Sequence, residues 1–315
     1  MTKEPSCLMD WIRHLKSKQA AILALIIANL IWGAASPIFK WSLESISLFT
    51  LAYLRFFGAS ILLLPLVIKR DLTIQRPDWL KLVLLTASGI TINITFFFLG
   101  LKHAPSINAP IIASSGPIIL IIASIFFLKE RPKPKMLLGT LISLLGVLVI
   151  IARPLLEEGF DISAVLGNLF FLLATVGAVA HTIHAKDLAR RYSALTLTFW
   201  SFLLGAVSFF PFFLKETISV GLPVIDERSV TGLLFGIILS STLAYTLYQW
   251  SVKRLEAAEV GIFTYIDPVI ATIIAIPLLG EIVTPLFILG SLFVFAGIFV
   301  AEGHLPWHPI HQLHV

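Results

Sequence analysis

A chain of 315 residues that is 57% hydrophobic and only 13% charged, with a mean hydropathy of +0.94, has too little polar surface to cover soluble domains. Its formal net charge of +5 comes without a basic run interleaved with aromatics, which argues against a nucleic-acid partner and for charge that orients a membrane protein. The single cysteine, Cys7, excludes an intramolecular disulfide, a thiolate metal cluster and a CxxC redox pair.

Apolar runs of about 17–25 residues cross a ~30 Å hydrocarbon core. Segmenting the chain by that length predicts ten spans, near 20–39, 46–68, 80–101, 107–128, 135–152, 162–185, 194–214, 230–250, 258–279 and 284–301. Residues 1–19 precede them as a cytoplasmic segment, and 302–315 follow as a tail. The first run lacks a small-residue cleavage site and reads as a retained span. The connecting loops are short, apart from the Pro- and acid-bearing stretches 153–161 and 215–229. The expected class is an all-α polytopic membrane protein whose main partner is the lipid bilayer.

Lys and Arg set the orientation. With the N-terminus in the cytoplasm, 17 of the 23 fall in inner segments. The outer loops carry only Lys40, Lys102, Arg153, Lys215 and Arg228, while Arg55 lies inside a span. This bias predicts an N-in, C-in protein of the inner (plasma) membrane. The placement of the tail itself rests on span parity.

Residues 100–150 align with 251–301 without a gap at a constant offset of 151. Lys102 falls on Lys253, Pro117 on Pro268, Glu130 on Glu281, Pro134 on Pro285, Gly139 on Gly290 and Gly146 on Gly297. The chain therefore reads as a duplicated unit, residues 20–152 and 162–301. Each copy has five spans, an odd number, so the second must enter the membrane from the opposite side. Inverted repeats with interrupted helices are a mark of secondary transporters, which expose one central site to either face in turn.

Taken in chain order, the candidate lining of that site begins with Asn29, Trp32 and Ser36 in the first span. Arg55 sits about nine residues into the second, roughly 13 Å deep at 1.5 Å per residue. It could grip a substrate carboxylate bidentately, or serve as an interhelical clamp or snorkel outward. Asn93 follows in the third span, then Ser114 and Ser115 in the fourth. Pro117 and Pro268 occupy matching places in spans four and nine, where each should free the carbonyl four residues back, on Ala113 and Thr264. The functional reading is a broken-helix binding site and the bland one a packing kink. Glu130 and Glu281 precede Pro134 and Pro285, and read as helix-start anchors, with a gating salt bridge as the alternative.

His181 and His184 share a helix face in span six, as pore-lining residues and not as a metal site, because no acid or Cys cluster accompanies them. Span eight offers Ser240, Ser241, Tyr245 and Gln249; span nine offers Thr264, Tyr265 and Asp267. A charge in mid-span costs on the order of 2.5–3.5 kcal/mol, so Asp267 needs a partner or a cavity. Proton coupling is one reading and a neutral carboxyl or static ion pair the other. Gly139/Gly146 and Gly290/Gly297 read as close helix contacts. The tail histidines His304, His308, His311 and His314 read as solvated chain. The chain has no P-loop, HExxH, nucleophile elbow or dinucleotide fingerprint, so neither a cofactor nor ATP hydrolysis is expected, and it reads as no enzyme.

The segments Ile31-Trp32-Gly33-Ala34-Ala35-Ser36-Pro37 with Lys40, Leu54-Arg55-Phe56, Leu197-Thr198-Phe199 with Gly205, Pro268 with Gly280-Glu281, and the two Glu-x-x-x-Pro steps carry a resemblance. On them the chain resembles EamA-type transporters of the drug/metabolite transporter superfamily over roughly residues 20–301. Ser47-Leu48 departs from the proline that such proteins often place before the second span. The resemblance implies ten helices as two inverted five-helix EamA-like repeats, with a cavity lined by spans one, three, four, eight and nine. It implies an exporter of small metabolites such as amino acids, working by alternating access on a small-molecule substrate. An arginine at position 55 looks family-wide across unlike cargoes, which favours the structural role. The rival class is a non-transporting membrane sensor or lipid-modifying protein. A sensor would carry a soluble output domain and an enzyme a carboxylate or His cluster at one face; neither is found. A channel is a third reading, one that fits broken helices less well.

Overall fold

The computed structural model describes residues 6–69, 72–116, 118–119, 134–157, 161–189, 191–252, 254–255 and 263–302, and every regular element among them is helical. In chain order these are α1 (Ser6–Ser42), α2 (Leu48–Val67), α3 (Arg76–His103), α4 (Asn108–Ala113), α5 (Pro134–Leu156), α6 (Ile162–Ala189), α7 (Ala194–Val220), α8 (Glu227–Ser251), α9 (Ile266–Leu279) and α10 (Pro285–Glu302). Among the described residues seven helices are long and apolar enough to cross a membrane, and α9 and α10 supply two shorter apolar ones. Pro117, Glu130 and the tail histidines lie outside the described residues.

Two features depart from a plain reading of apolar runs. α3 and α8 are each interrupted by a π segment, at Ala87–Ile92 and Phe235–Leu243. In the expected ninth span α9 runs from Ile266, after a turn at Thr264 and Tyr265 that follows helical Phe263. Pro268 thus sits in a first helical turn, where a missing N–H costs nothing. The Thr264 carbonyl is not freed as expected, because it accepts the Asp267 amide at 3.2 Å. α4 breaks at the matching place, with a turn at Ser114 and Ser115 after Ala113.

The helix pairings repeat. α1 packs on α8 and α9, α6 packs on α3 and α4, α2 lies against α7, and α5 against α10. Adding five to each label turns this set into itself. The contacts repeat in detail as well. A Cβ on Gly58 of α2 would meet Ile237 Cδ1 at 2.7 Å in α8, and one on Gly205 of α7 would meet Ile90 Cγ2 at 2.6 Å in α3. The α5–α10 seam is closer still. A Cβ on Gly146 would lie 2.6 Å from the Gly290 carbonyl oxygen and the Val294 nitrogen, and one on Gly290 2.6 Å from Ile150 Cγ1. Small residues let these backbones touch, which is how helices gain packing energy in lipid.

Loops at the helix ends tie the halves together. Asp78, at the start of α3, is buried and takes Arg191 Nη1 on both oxygens at 3.0 Å and the Tyr192 hydroxyl at 2.8 Å. Asp226, at the start of α8, caps its own helix by accepting the Ser229 amide at 2.8 Å and takes the Ser45 hydroxyl at 2.5 Å. The Ser45 hydrogen bond and the Ser229 amide hold the Asp226 carboxyl below the usual carboxylate range. Arg228 beside it pairs with Glu44.

Candidate functional site

The π segment of α8 collects the first group of candidates. A π turn breaks the i→i−4 ladder and leaves backbone groups for outside partners. The Ser240 carbonyl oxygen accepts the Trp32 indole N–H of α1 at 3.1 Å. Arg55 of α2, 3% exposed, donates through Nε to Ser241 Oγ at 2.8 Å and through Nη2 to Ser240 Oγ at 3.1 Å. Its guanidinium also lies 4.7 Å from the Phe39 ring centre and 4.9 Å from that of Phe56. Arg55 thus joins α2 to α8 through two hydroxyls, with two ring faces against its guanidinium. The Trp32 ring meets Tyr245 edge-on at 5.3 Å and Tyr248 at 5.1 Å. Tyr248 escaped the sequence reading, although its i, i+3 spacing from Tyr245 marks the same face. Gln249 is half-buried one residue further on.

α3 answers with the same arrangement. Asn93, at the end of its π segment, donates to the Ala174 carbonyl of α6 at 2.7 Å. His181 of α6 donates through Nδ1 to the Leu85 carbonyl at 3.0 Å, and Gly89 makes room for its ring. Thr91 and Ser208 of α7 share a hydroxyl hydrogen bond of 2.7 Å. His181 therefore joins helices, as Trp32 does in the other half. Among the described residues no group of three or more His, Cys, Asp or Glu is gathered to hold a metal.

The broken helices form the third group. Ser114 Oγ donates to the Pro110 carbonyl at 2.8 Å and Ser115 Oγ to that of Ile112 at 2.6 Å, so both hydroxyls serve the break in α4 itself. Tyr265 places its ring edge-on against Phe295 at 5.5 Å. Asp267 lies in the first turn of α9 and not in mid-helix. It backs directly onto α1, where a Cβ on Gly33 would stand 2.9 Å from the Asp267 carbonyl oxygen and 3.0 Å from its Cα. Asn29, fully buried in α1, donates to the Leu25 carbonyl at 2.8 Å. Asn29 Oδ1, Ser36 Oγ and Asp267 Oδ1 are buried and have no hydrogen-bond partner among the described residues.

A fourth group closes one end of the molecule and was only half legible. Gly280 ends α9 in the left-handed region at φ 66°, a conformation that favours glycine. The turn aims Glu281 across the molecule at the start of α4. Its Oε1 accepts the Ser106 amide at 2.6 Å, its Oε2 the Ile107 amide at 3.0 Å, and Lys40 of α1 donates to Oε1 at 2.9 Å. Lys40 also reaches the Ala104 carbonyl at 2.8 Å. Glu281 does anchor a helix start, but that of α4 and not of its own α10. The reason is geometric: the reversed backbone at Gly280 points it away from Pro285.

The EamA-like transporter family model matches residues 19–152 and 165–302. An uncharacterised transporter of Archaeoglobus fulgidus is 28% identical over 294 residues, covering 92% of this chain and 99% of that protein. A protein of Escherichia coli named a probable amino-acid metabolite efflux pump is 26% identical over 302 residues, covering 92% and 97%. A solved crystal structure superposes with a TM-score of 0.61 at 21% identity, covering 89% of this chain and 96% of that one, which shows a shared fold.

Proposed function

The chain belongs to the EamA-like transporter family, and we propose that it is a secondary exporter of small metabolites, amino acids among them, working by alternating access. A membrane transporter sits in lipid and binds small molecules, which fits the apolar helices seen here. The finer reading is ten spans in two inverted five-helix repeats, residues 20–152 and 162–301, with both termini on the cytoplasmic side of the inner membrane.

One observation carries it. A turn follows α4 at Ser114–Ser115 and another precedes α9 at Thr264–Tyr265, 150 residues on, and α4 and α9 each pack on the first helix of the opposite half. Irregular backbone at membrane depth is tolerated where it faces protein or a cavity, and half-helix ends there can meet polar cargo. Trp32, Tyr245, Asn93, His181, Thr264 and Gln249 are the cargo-facing candidates. Amino acids lead as cargo because two relatives are named probable amino-acid metabolite efflux pumps. The glycine seam of α5 and α10 lies apart and serves assembly.

Counterflow in proteoliposomes tests the reading. Vesicles holding the purified chain and preloaded with an amino-acid mixture are expected to exchange at least one labelled amino acid saturably, above protein-free vesicles. Trp32→Ala should slow that exchange by roughly tenfold, the loss of an aromatic anchor and one hydrogen bond at the site. An absence of saturable exchange for every amino acid would overturn the cargo class.

A further inference from the structure

The Arg55 guanidinium is planar and offers two edges. Nε–H and one Nη2–H lie along the first; the two Nη1–H and the other Nη2–H lie along the second. Ser241 Oγ at 2.8 Å and Ser240 Oγ at 3.1 Å take the first edge. The Phe39 and Phe56 rings stand against the group, 4.7 Å and 4.9 Å from its carbon. Gly236, in the π segment of α8, makes room for the stem, since a Cβ there would lie 3.2 Å from both Cγ and Cδ of Arg55. Position and plane are therefore fixed by neighbours that leave the second edge alone. Among the described residues Nη1 has no hydrogen-bond partner, and it is not one of the polar atoms sealed from contact.

The charge is unanswered as well. Arg55 is 3% exposed, and no ion pair to it is present among the described residues. Two hydroxyls satisfy donors but bring no negative charge, and a buried cation without an anion is costly in a membrane. We propose that the second edge of Arg55 anchors a carboxylate of the transported solute, gripped bidentately by Nη1 and Nη2. Two parallel N–H groups match the two oxygens of a carboxylate, and one positive charge matches a monocarboxylate. Ser240 ties this edge to the cargo-facing candidates, because its hydroxyl accepts from Arg55 while its carbonyl accepts from Trp32 at 3.1 Å. Joining α2 to α8 and gripping an anion use different edges of one group, so both roles hold together. The anchor deepens the transport reading by naming a group that the cargo carries, and rests on that reading for this role alone.

The test reads binding without transport. Thermal unfolding of the solubilised full chain is followed at fixed pH and ionic strength while sodium acetate, propionate or butyrate replaces sodium chloride. The expected result is a midpoint that rises and saturates with at least one of these carboxylates, and no saturable rise with the matching amides. Arg55→Gln should abolish the saturable part. Arg55→Lys, which keeps the charge and loses the fork, should weaken the apparent affinity by roughly tenfold. Wild-type curves that never saturate, or a saturable rise that persists in Arg55→Gln, would overturn the anchor. If Arg55→Gln does not fold, Arg55→Lys decides, and an unchanged affinity there overturns the bidentate grip. Saturable binding without exchange of any amino acid in vesicles keeps the anchor and removes the amino-acid reading. Exchange without saturable binding does the reverse.

Discussion

Replacing Glu281 by alanine is expected to be among the most damaging single changes in the molecule. The carboxylate is 7% exposed and answers one ammonium and two backbone amides, on α1 and at the start of α4. Removing one partner of a buried ion pair costs ~3–5 kcal/mol, chiefly through the charge left behind. Lys40 keeps 27% of its surface exposed and can turn partly to solvent. The expected loss is therefore about 3 kcal/mol, read as a lowered unfolding midpoint of the solubilised protein. Glu281→Gln keeps the shape and one acceptor oxygen and should lose less. Lys40→Gln should lose least, because the amides remain answered. An alanine variant as stable as the wild type would show that this corner contributes nothing. In the alternating-access account the same corner is a latch between the halves. Loosening it should raise modification of a cysteine at Ser106 by an impermeant reagent from outside.

The second large effect belongs to the α5–α10 seam. A Cβ on Gly297 would collide with the backbone nitrogen of Ser143 and stand 2.6 Å from the Gly139 carbonyl oxygen. Neither atom can swing away as a side chain would, so Gly297→Ala must push α5 and α10 apart along their closest line. Overpacking of this kind costs about 1–3 kcal/mol and sometimes more, and a leucine there should block assembly. Gly116→Ala is the control. Its Cβ would find only Thr175 Cγ2 at 3.8 Å and Val179 Cγ2 at 3.9 Å. That change should be close to neutral. Equal losses at the two positions would mean that the seam is not a tight contact.

The features legible in the sequence are those that repeat or that follow helix length. The glycines of the α5–α10 seam stood out because they recur at a fixed offset, and they meet in space. The apolar runs predicted near 46–68, 80–101, 135–152, 162–185, 194–214, 230–250 and 284–301 fall on helices, with ends shifted by a few residues. α1 begins at Ser6, well before its apolar run, since helical hydrogen bonding continues where hydropathy no longer tells. The π segments of α3 and α8 left no mark, because one altered turn does not disturb an apolar pattern that already surrounds the helix. Asp267 read as a mid-span charge, and the turn at Thr264 and Tyr265, which the sequence did not mark, puts it in the first turn of α9. Arg55 supported two readings in the sequence, and its hydroxyl partners on α8, 185 and 186 residues away, lie beyond any local spacing. The bond from Lys40 to Glu281 joins positions 241 apart. No local spacing rule reaches that far.

The central claim is that the two halves enter the membrane from opposite sides. Single cysteines at Gln75, before α3, and at Leu222, before α8, test it in a Cys7→Ser background. Both positions are exposed, and both stand just ahead of corresponding helices. With an impermeant maleimide on intact cells, Leu222→Cys should label at once and Gln75→Cys only after the membrane is opened. Labelling of both from the same side would contradict the inverted repeat, and with it the alternating-access account.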